Sequence, residues 1–247
     1  MKILSKPALA GALLLTAITQ IQAADLDQNL VARWTFKGGS LKSDIGDFTL
    51  TDGGRGSSEI GDGQVTVRDR GYLLTPDINL AKFPELKHSV TIWARLKFEE
   101  LPQEGMINLM GLLTAPDAGN WDAISLCLLY RGPDEQIVNP GFAFLARPSD
   151  GTELGVGASR MIPANTGEFI NVAIVYDGAA NSSSMWINGQ LANSRRPGAS
   201  QLTDFAAFAI GQLKSPGANI AVTFDEVRIY STMLDENWLG EITPVAD

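Results

Sequence analysis

The feature that most constrains this chain is a rhythm of short apolar runs, each closed by a cluster of Gly, Pro, Asn or Asp. The runs are Leu30–Phe36, Phe48–Thr51, Gln64–Val67, Tyr72–Leu74, Val90–Phe98, Met106–Leu113, Ala123–Tyr130, Gly141–Ala146, Glu153–Ala158, Phe169–Tyr176, Ser184–Asn188, Phe205–Ile210 and Ala221–Tyr230. Runs this short, bounded by turn formers, read as strands. Val90–Phe98 alternates: Val90, Ile92, Ala94, Leu96 and Phe98 share one face, with Thr91, Trp93, Arg95 and Lys97 on the other. That period of two belongs to an antiparallel sheet with one face buried. Asn188-Gly189 tolerates positive φ at both positions, which predicts a two-residue hairpin turn from Met185–Ile187 back onto Gln190–Ala192. Gly53–Gly63 reads as a Gly-rich loop. The helical pattern is confined to Leu234–Ile242, with Asp235 and Glu236 in its first turn. Many strands without alternating helices make this an all-β sandwich or barrel, not a parallel α/β sheet.

The first 23 residues stand outside that rhythm. Lys2 and Lys6 precede the apolar stretch Ala8–Ile18, and Ile21-Gln22-Ala23 ends on a small residue. This is the pattern of a cleaved signal peptide, Met1–Ala23, and the apolar stretch is short of the roughly 20 residues that span a bilayer. The expectation is an exported protein, periplasmic or extracellular, with one domain over 24–247 and no membrane span after cleavage. Net charge is −9, and becomes −11 once Lys2 and Lys6 are removed. Such a balance argues against nucleic acid as a partner, because phosphate binding needs clustered Lys and Arg.

One His and one Cys exclude any zinc site built from several of either. Cys127, inside an apolar strand run, reads as a small buried hydrophobe. His88 reads as a solvent-facing residue in a turn before a strand.

Three segments carry a resemblance. Leu30-Val31-Ala32-Arg33-Trp34-Thr35-Phe36 is followed by Val172-Ala173-Ile174-Val175-Tyr176-Asp177-Gly178 leading to Met185-Trp186-Ile187-Asn188-Gly189-Gln190, and then by Phe224-Asp225-Glu226-Val227-Arg228-Ile229-Tyr230. In this order they resemble the laminin-G-like branch of the concanavalin A-like lectin/glucanase superfamily, with Ser89-Val90-Thr91-Ile92-Trp93 as a weaker match. The resemblance implies a two-sheet antiparallel jelly roll with a short C-terminal helix. Two departures stand out: Arg95 where the family often has Trp, and Lys37 where it often has an acid.

The resemblance also raises three chemistries. Glucanases of this superfamily take two carboxylates from one strand as Glu-x-Asp-x-x-Glu, but no Glu here has Asp two positions later. Glu99, Glu100 and Glu104 read as solvated, and no Gly-x-Ser-x-Gly elbow accompanies His88. Relatives often hold calcium through the final-strand Asp. Here that implies Asp225, with Asp44 and the carbonyls of Gly38 and Gly39, as ligands of a structural ion. For a sugar, Trp34, Trp186 and Trp238 fall where the family packs its core, whereas Asn120-Trp121-Asp122 lies in a turn-rich stretch suited to a stacking platform, with Tyr130 and Arg131 on the same rim. Arg68 with Arg70, and Arg195 with Arg196, read as basic pairs in loops. The preferred reading is a non-catalytic module that binds a glycan or an extracellular or periplasmic protein. The alternatives are a divergent glycoside hydrolase or lyase and a structural envelope protein.

Overall fold

The computed structural model describes residues 28–101, 105–115, 122–130, 141–147, 149, 167–195, 201–211 and 220–242. Its strands are β1 (Leu30–Trp34), β2 (Thr51–Asp52), β3 (Ser57–Gly61), β4 (Gln64–Arg68), β5 (Tyr72–Thr75), β6 (Ser89–Phe98), β7 (Gly105–Leu113), β8 (Asp122–Tyr130), β9 (Gly141–Ala146), β10 (Ile170–Asp177), β11 (Ser182–Ile187), β12 (Gln190–Arg195), β13 (Ala207–Gly211) and β14 (Val222–Tyr230). An eight-stranded sheet runs β12-β11-β10-β6-β14-β4-β3, with β1 also paired to β14, and a six-stranded sheet runs β2-β5-β13-β7-β8-β9. The two pack face to face as the expected jelly-roll sandwich. The Gly53–Gly63 stretch is not wholly loop: β3 forms inside it and pairs antiparallel with β4 at the sheet edge. The expected strand Glu153–Ala158 lies outside the described residues.

Alternation decides which side chains enter the core. On β6, Val90, Ile92, Ala94, Leu96 and Phe98 are all buried in one cluster shared by both sheets. Two aromatic contacts bridge the layers: Trp34 of β1 stacks on Phe208 of β13 at 5.7 Å, and Phe98 of β6 meets Phe142 of β9 at 5.8 Å. Each such pair adds about 0.5–1.5 kcal/mol beyond the area it buries. Cys127 is fully buried in β8.

Strand β14 breaks the alternation once. Phe224 pairs with Leu96 and Glu226 with Arg95, so Asp225 is an extra residue on β14, a β-bulge. The bulge resets the phase: Val222 and Phe224 point inward before it, Val227 and Ile229 after it. The opposite edge of β14 changes partner at the same place, from β4 over Val222–Phe224 to β1 over Val227–Tyr230.

The outer face of the larger sheet is covered only in part. Trp93, Ala173, Val175, Tyr230 and Leu30 form a second apolar cluster, capped by Leu234, Leu239 and Ile242. The helix supplying this cap is Glu236–Glu241, and Asp235 caps its first turn by accepting from the amides of Asn237 (3.0 Å) and Trp238 (3.2 Å). It starts later than the expected Leu234, whose amide is held by Thr91 Oγ1 at 3.0 Å. At the Asn188-Gly189 turn, φ is 49° and 76°, as the hairpin requires.

Candidate binding face

Beyond the helix, the outer face of the larger sheet is polar and only partly exposed: Thr66, Arg95, Lys97, Phe169 and Asn171 are half-buried, and Thr223 and Glu226 are buried. Cross-strand register sets its residues in rows. Arg95 of β6 pairs with Asn171 of β10 on one side and Glu226 of β14 on the other. Lys97 pairs with Thr223, and Thr223 with Thr66 of β4. Phe169 comes just before β10 and lies beside Lys97, so one row reads Phe169, Lys97, Thr223, Thr66. Three strand spacings of about 4.8 Å make it roughly 14 Å long. The Arg95 guanidinium lies 4.6 Å and the Lys97 ammonium 4.8 Å from the centre of the Phe169 ring. The hydroxyls of Thr66 and Thr223 hydrogen-bond at 2.8 Å. A half-buried aromatic ring with two cations over it and a bonded pair of hydroxyls thus share one row of this face.

Ion pairs hold this face in place. Arg95 donates to Asp225 Oδ2 at 2.5 Å, and the two side chains are 33% and 23% exposed. Arg68 forks onto both oxygens of Glu99 at 2.6 and 2.7 Å, which holds the Glu99 carboxyl below the usual carboxylate range. Arg68 therefore belongs to β4 and not to a loop. Arg70 is exposed, Arg195 ends β12, and Arg196 lies outside the described residues. Deeper in the sheet, Arg228 donates to Glu226 Oε1 at 2.6 Å and packs 5.1 Å from the Trp93 ring. Burial is the largest single influence and works against the Arg228 charge, but the hydrogen bonds and charges of Glu226 and Tyr230 together outweigh it and raise the guanidinium pKa.

The two carboxylates expected to hold calcium already have partners. Asp225 carries the Arg95 guanidinium, and Asp44 Oδ2 accepts from Thr35 N at 3.0 Å and Thr35 Oγ1 at 2.8 Å. The Gly38 amide donates to Asp62 Oδ1 at 2.8 Å, and the Gly39 amide donates to the Phe36 carbonyl at 3.1 Å. Among the described residues no three His, Cys, Asp or Glu side chains converge. An Asp already neutralised by arginine is a poor ligand for a divalent cation, so this donor set does not fit calcium unless Arg95 is displaced.

Asn120, Trp121 and Arg131 of the expected sugar platform lie outside the described residues, as does the side chain of Tyr130. Asp122 is 1% exposed within β8, where it accepts from the Asn108 amide group. It sits inside the sheet layer, not on an open rim. Trp34 is core, and Trp186 and Trp238 flank the second apolar cluster, as expected. His88 is exposed and lines a cleft of about 460 Å³ with Ser89, Asp177, Thr232 and Met233, at one end of the sandwich.

A family model, Laminin_G_3 of the concanavalin A-like lectin/glucanases superfamily, matches residues 68–239, and the chain belongs to that family. No curated protein sequence matches the chain. Similar solved structures include the receptor-binding domain of a botulinum neurotoxin C/D mosaic serotype, with TM-score 0.64, 10% identity and coverage of 86% of this chain and 50% of that one. A second is a botulinum neurotoxin type C structure reported with cell entry dependent on two ganglioside molecules, with TM-score 0.66, 12% identity and coverage of 88% and 51%. A third is the binding domain of botulinum neurotoxin DC in complex with rat synaptotagmin II, with TM-score 0.65, 12% identity and coverage of 86% and 51%. At such identities the likeness is one of fold, and this chain spans about half the length of those chains. No described helix is long and apolar enough to cross a membrane.

Proposed function

We propose that this protein is an exported, non-catalytic carbohydrate-recognition module, and that it binds glycan across the half of the larger sheet beyond the helix. The observation that carries this reading is the row Phe169–Lys97–Thr223–Thr66, an aromatic ring and polar groups fixed on one flat face. Support also comes from the family, and from fold neighbours named for ganglioside and receptor-protein binding. The buried carboxylates of Asp122 and Glu226 are hydrogen-bonded within the sheets, which favours binding over acid–base chemistry. Calcium is dispensable in this reading, since Arg95 already supplies the positive charge beside Asp225. Export rests on the Met1–Ala23 pattern, and the mature N-terminus would be Ala24. A glycan array run with the mature chain, with and without chelator, tests the proposal. Binding that survives chelation supports it, and a blank array in both conditions refutes the glycan form. Release of reducing ends from a bound polysaccharide would replace binding by hydrolysis.

A further inference from the structure

Two arginines stand side by side at the edge of the same face. On β1, Ala32 and Trp34 point into the core, so Arg33 between them points outward. On β14, Val227 and Ile229 point inward, so Arg228 also points outward. Register sets Arg33 directly opposite Arg228. Like charges directly opposed on neighbouring strands destabilise a sheet, because their Cβ atoms lie only about 5 Å apart. Arg228 is matched by Glu226 at 2.6 Å. Arg33 has no carboxylate within ion-pair distance among the described residues, and its Nε is buried without a hydrogen-bond partner, although the residue as a whole is half-exposed.

Arg33, Arg228, Arg95 and Lys97 face Asp225 and Glu226 across β1, β14 and β6, with Asp44 held at Thr35 beyond Arg33, a local excess of positive charge in a chain of net charge −9. A guanidinium offers parallel N–H donors that fit the two oxygens of a carboxylate or sulfate. We infer that Arg33, set beside Arg228, is an oxyanion subsite that takes the carboxylate or sulfate group of an acidic glycan. This rests on the glycan reading above and narrows it. The anion meets the exposed part of the Arg33 guanidinium and relieves the Arg33–Arg228 repulsion.

Calorimetric titration of the mature chain with dextran sulfate, polygalacturonate and neutral dextran tests this, comparing wild type, Arg33→Gln, Arg33→Lys and Phe169→Ala. The expected result is binding of at least one acidic polymer that weakens with salt, with tenfold or greater loss in Arg33→Gln and a smaller loss in Arg33→Lys. Dextran sulfate and polygalacturonate separate sulfate from carboxylate as the preferred group. If dextran binds as well as the acidic polymers, and Phe169→Ala weakens binding while Arg33→Gln does not, the glycan face stands and the oxyanion subsite falls. If no polymer binds, the array decides the glycan reading, and melting temperature in sodium sulfate against sodium chloride at equal ionic strength decides the subsite. A larger sulfate increment in wild type than in Arg33→Gln retains it, and equal increments overturn it. Without added anion, relief of like-charge repulsion predicts that Arg33→Gln melts no lower than wild type at low salt. A marked fall would make Arg33 a structural residue and overturn the assignment.

Discussion

Asp225 shows how much a single residue can redirect. The family resemblance marks it as a metal ligand, yet the bulge that makes it an extra residue sets it against Arg95, which stands where the family often has Trp. Replacing Arg95 by Met leaves a half-buried carboxylate without its counter-ion, and should cost about 1–2 kcal/mol, between the values for surface and buried pairs. Adding Asp225→Asn should restore most of that loss, as measured by denaturant unfolding. If Arg95→Met alone is neutral, the pair does not organise this face. The Arg68–Glu99 pair gives a pH signature of known sign. Glu99 titrates lower in the folded state than in the unfolded chain, so its contribution is present at neutral pH and lost as pH falls through that depressed range. Arg68→Met should therefore lower the melting temperature slightly at pH 7 and not at all well below the carboxylate range.

At the scale of elements, most strands were legible because their apolar period is two and their turns carry Gly, Pro, Asn or Asp. The β14 bulge was not foreseen, although the apolar spacing Val222, Phe224, Val227, Ile229 carries its trace, with one interval of three instead of two. Edge strand β3 was not, since Ser57–Gly61 is held by backbone pairing with β4 and carries almost no apolar pattern. The binding face was legible only in half. Alternation on β6 turns Arg95 and Lys97 outward, but their meeting with Phe169 depends on pairing with a strand more than 70 residues away, which no local pattern encodes. The hairpin and the helix are coupled at one point. A Cβ on Gly189 would lie 2.9 Å from Gly240 Cα, and Gly189 also holds φ 76°. Gly189→Ala should destabilise by about 1–3 kcal/mol, more than Asp235→Ala, which removes the helix cap at about 1 kcal/mol. Equal effects would mean that the turn does not brace the helix.

For the whole molecule, as far as the described residues go, the sandwich buries one shared core and the outer face of the larger sheet is covered in part. The short C-terminal helix shields Trp93 and its neighbours and stops before Arg95, and that boundary makes a flat polar surface out of what would otherwise be a second apolar interface. The proposed face uses no metal ion, so on that proposal the melting temperature should be unmoved by chelator and by subsequent calcium. A rise on adding calcium would show that an ion displaces Arg95, because a ligand of the native state must raise stability. The most direct measurement is calorimetric titration of an array-identified oligosaccharide into wild type and Phe169→Ala in the presence of chelator. The account predicts loss of binding by tenfold or more with the melting temperature little changed. Undiminished affinity in Phe169→Ala would contradict it and move recognition off this face.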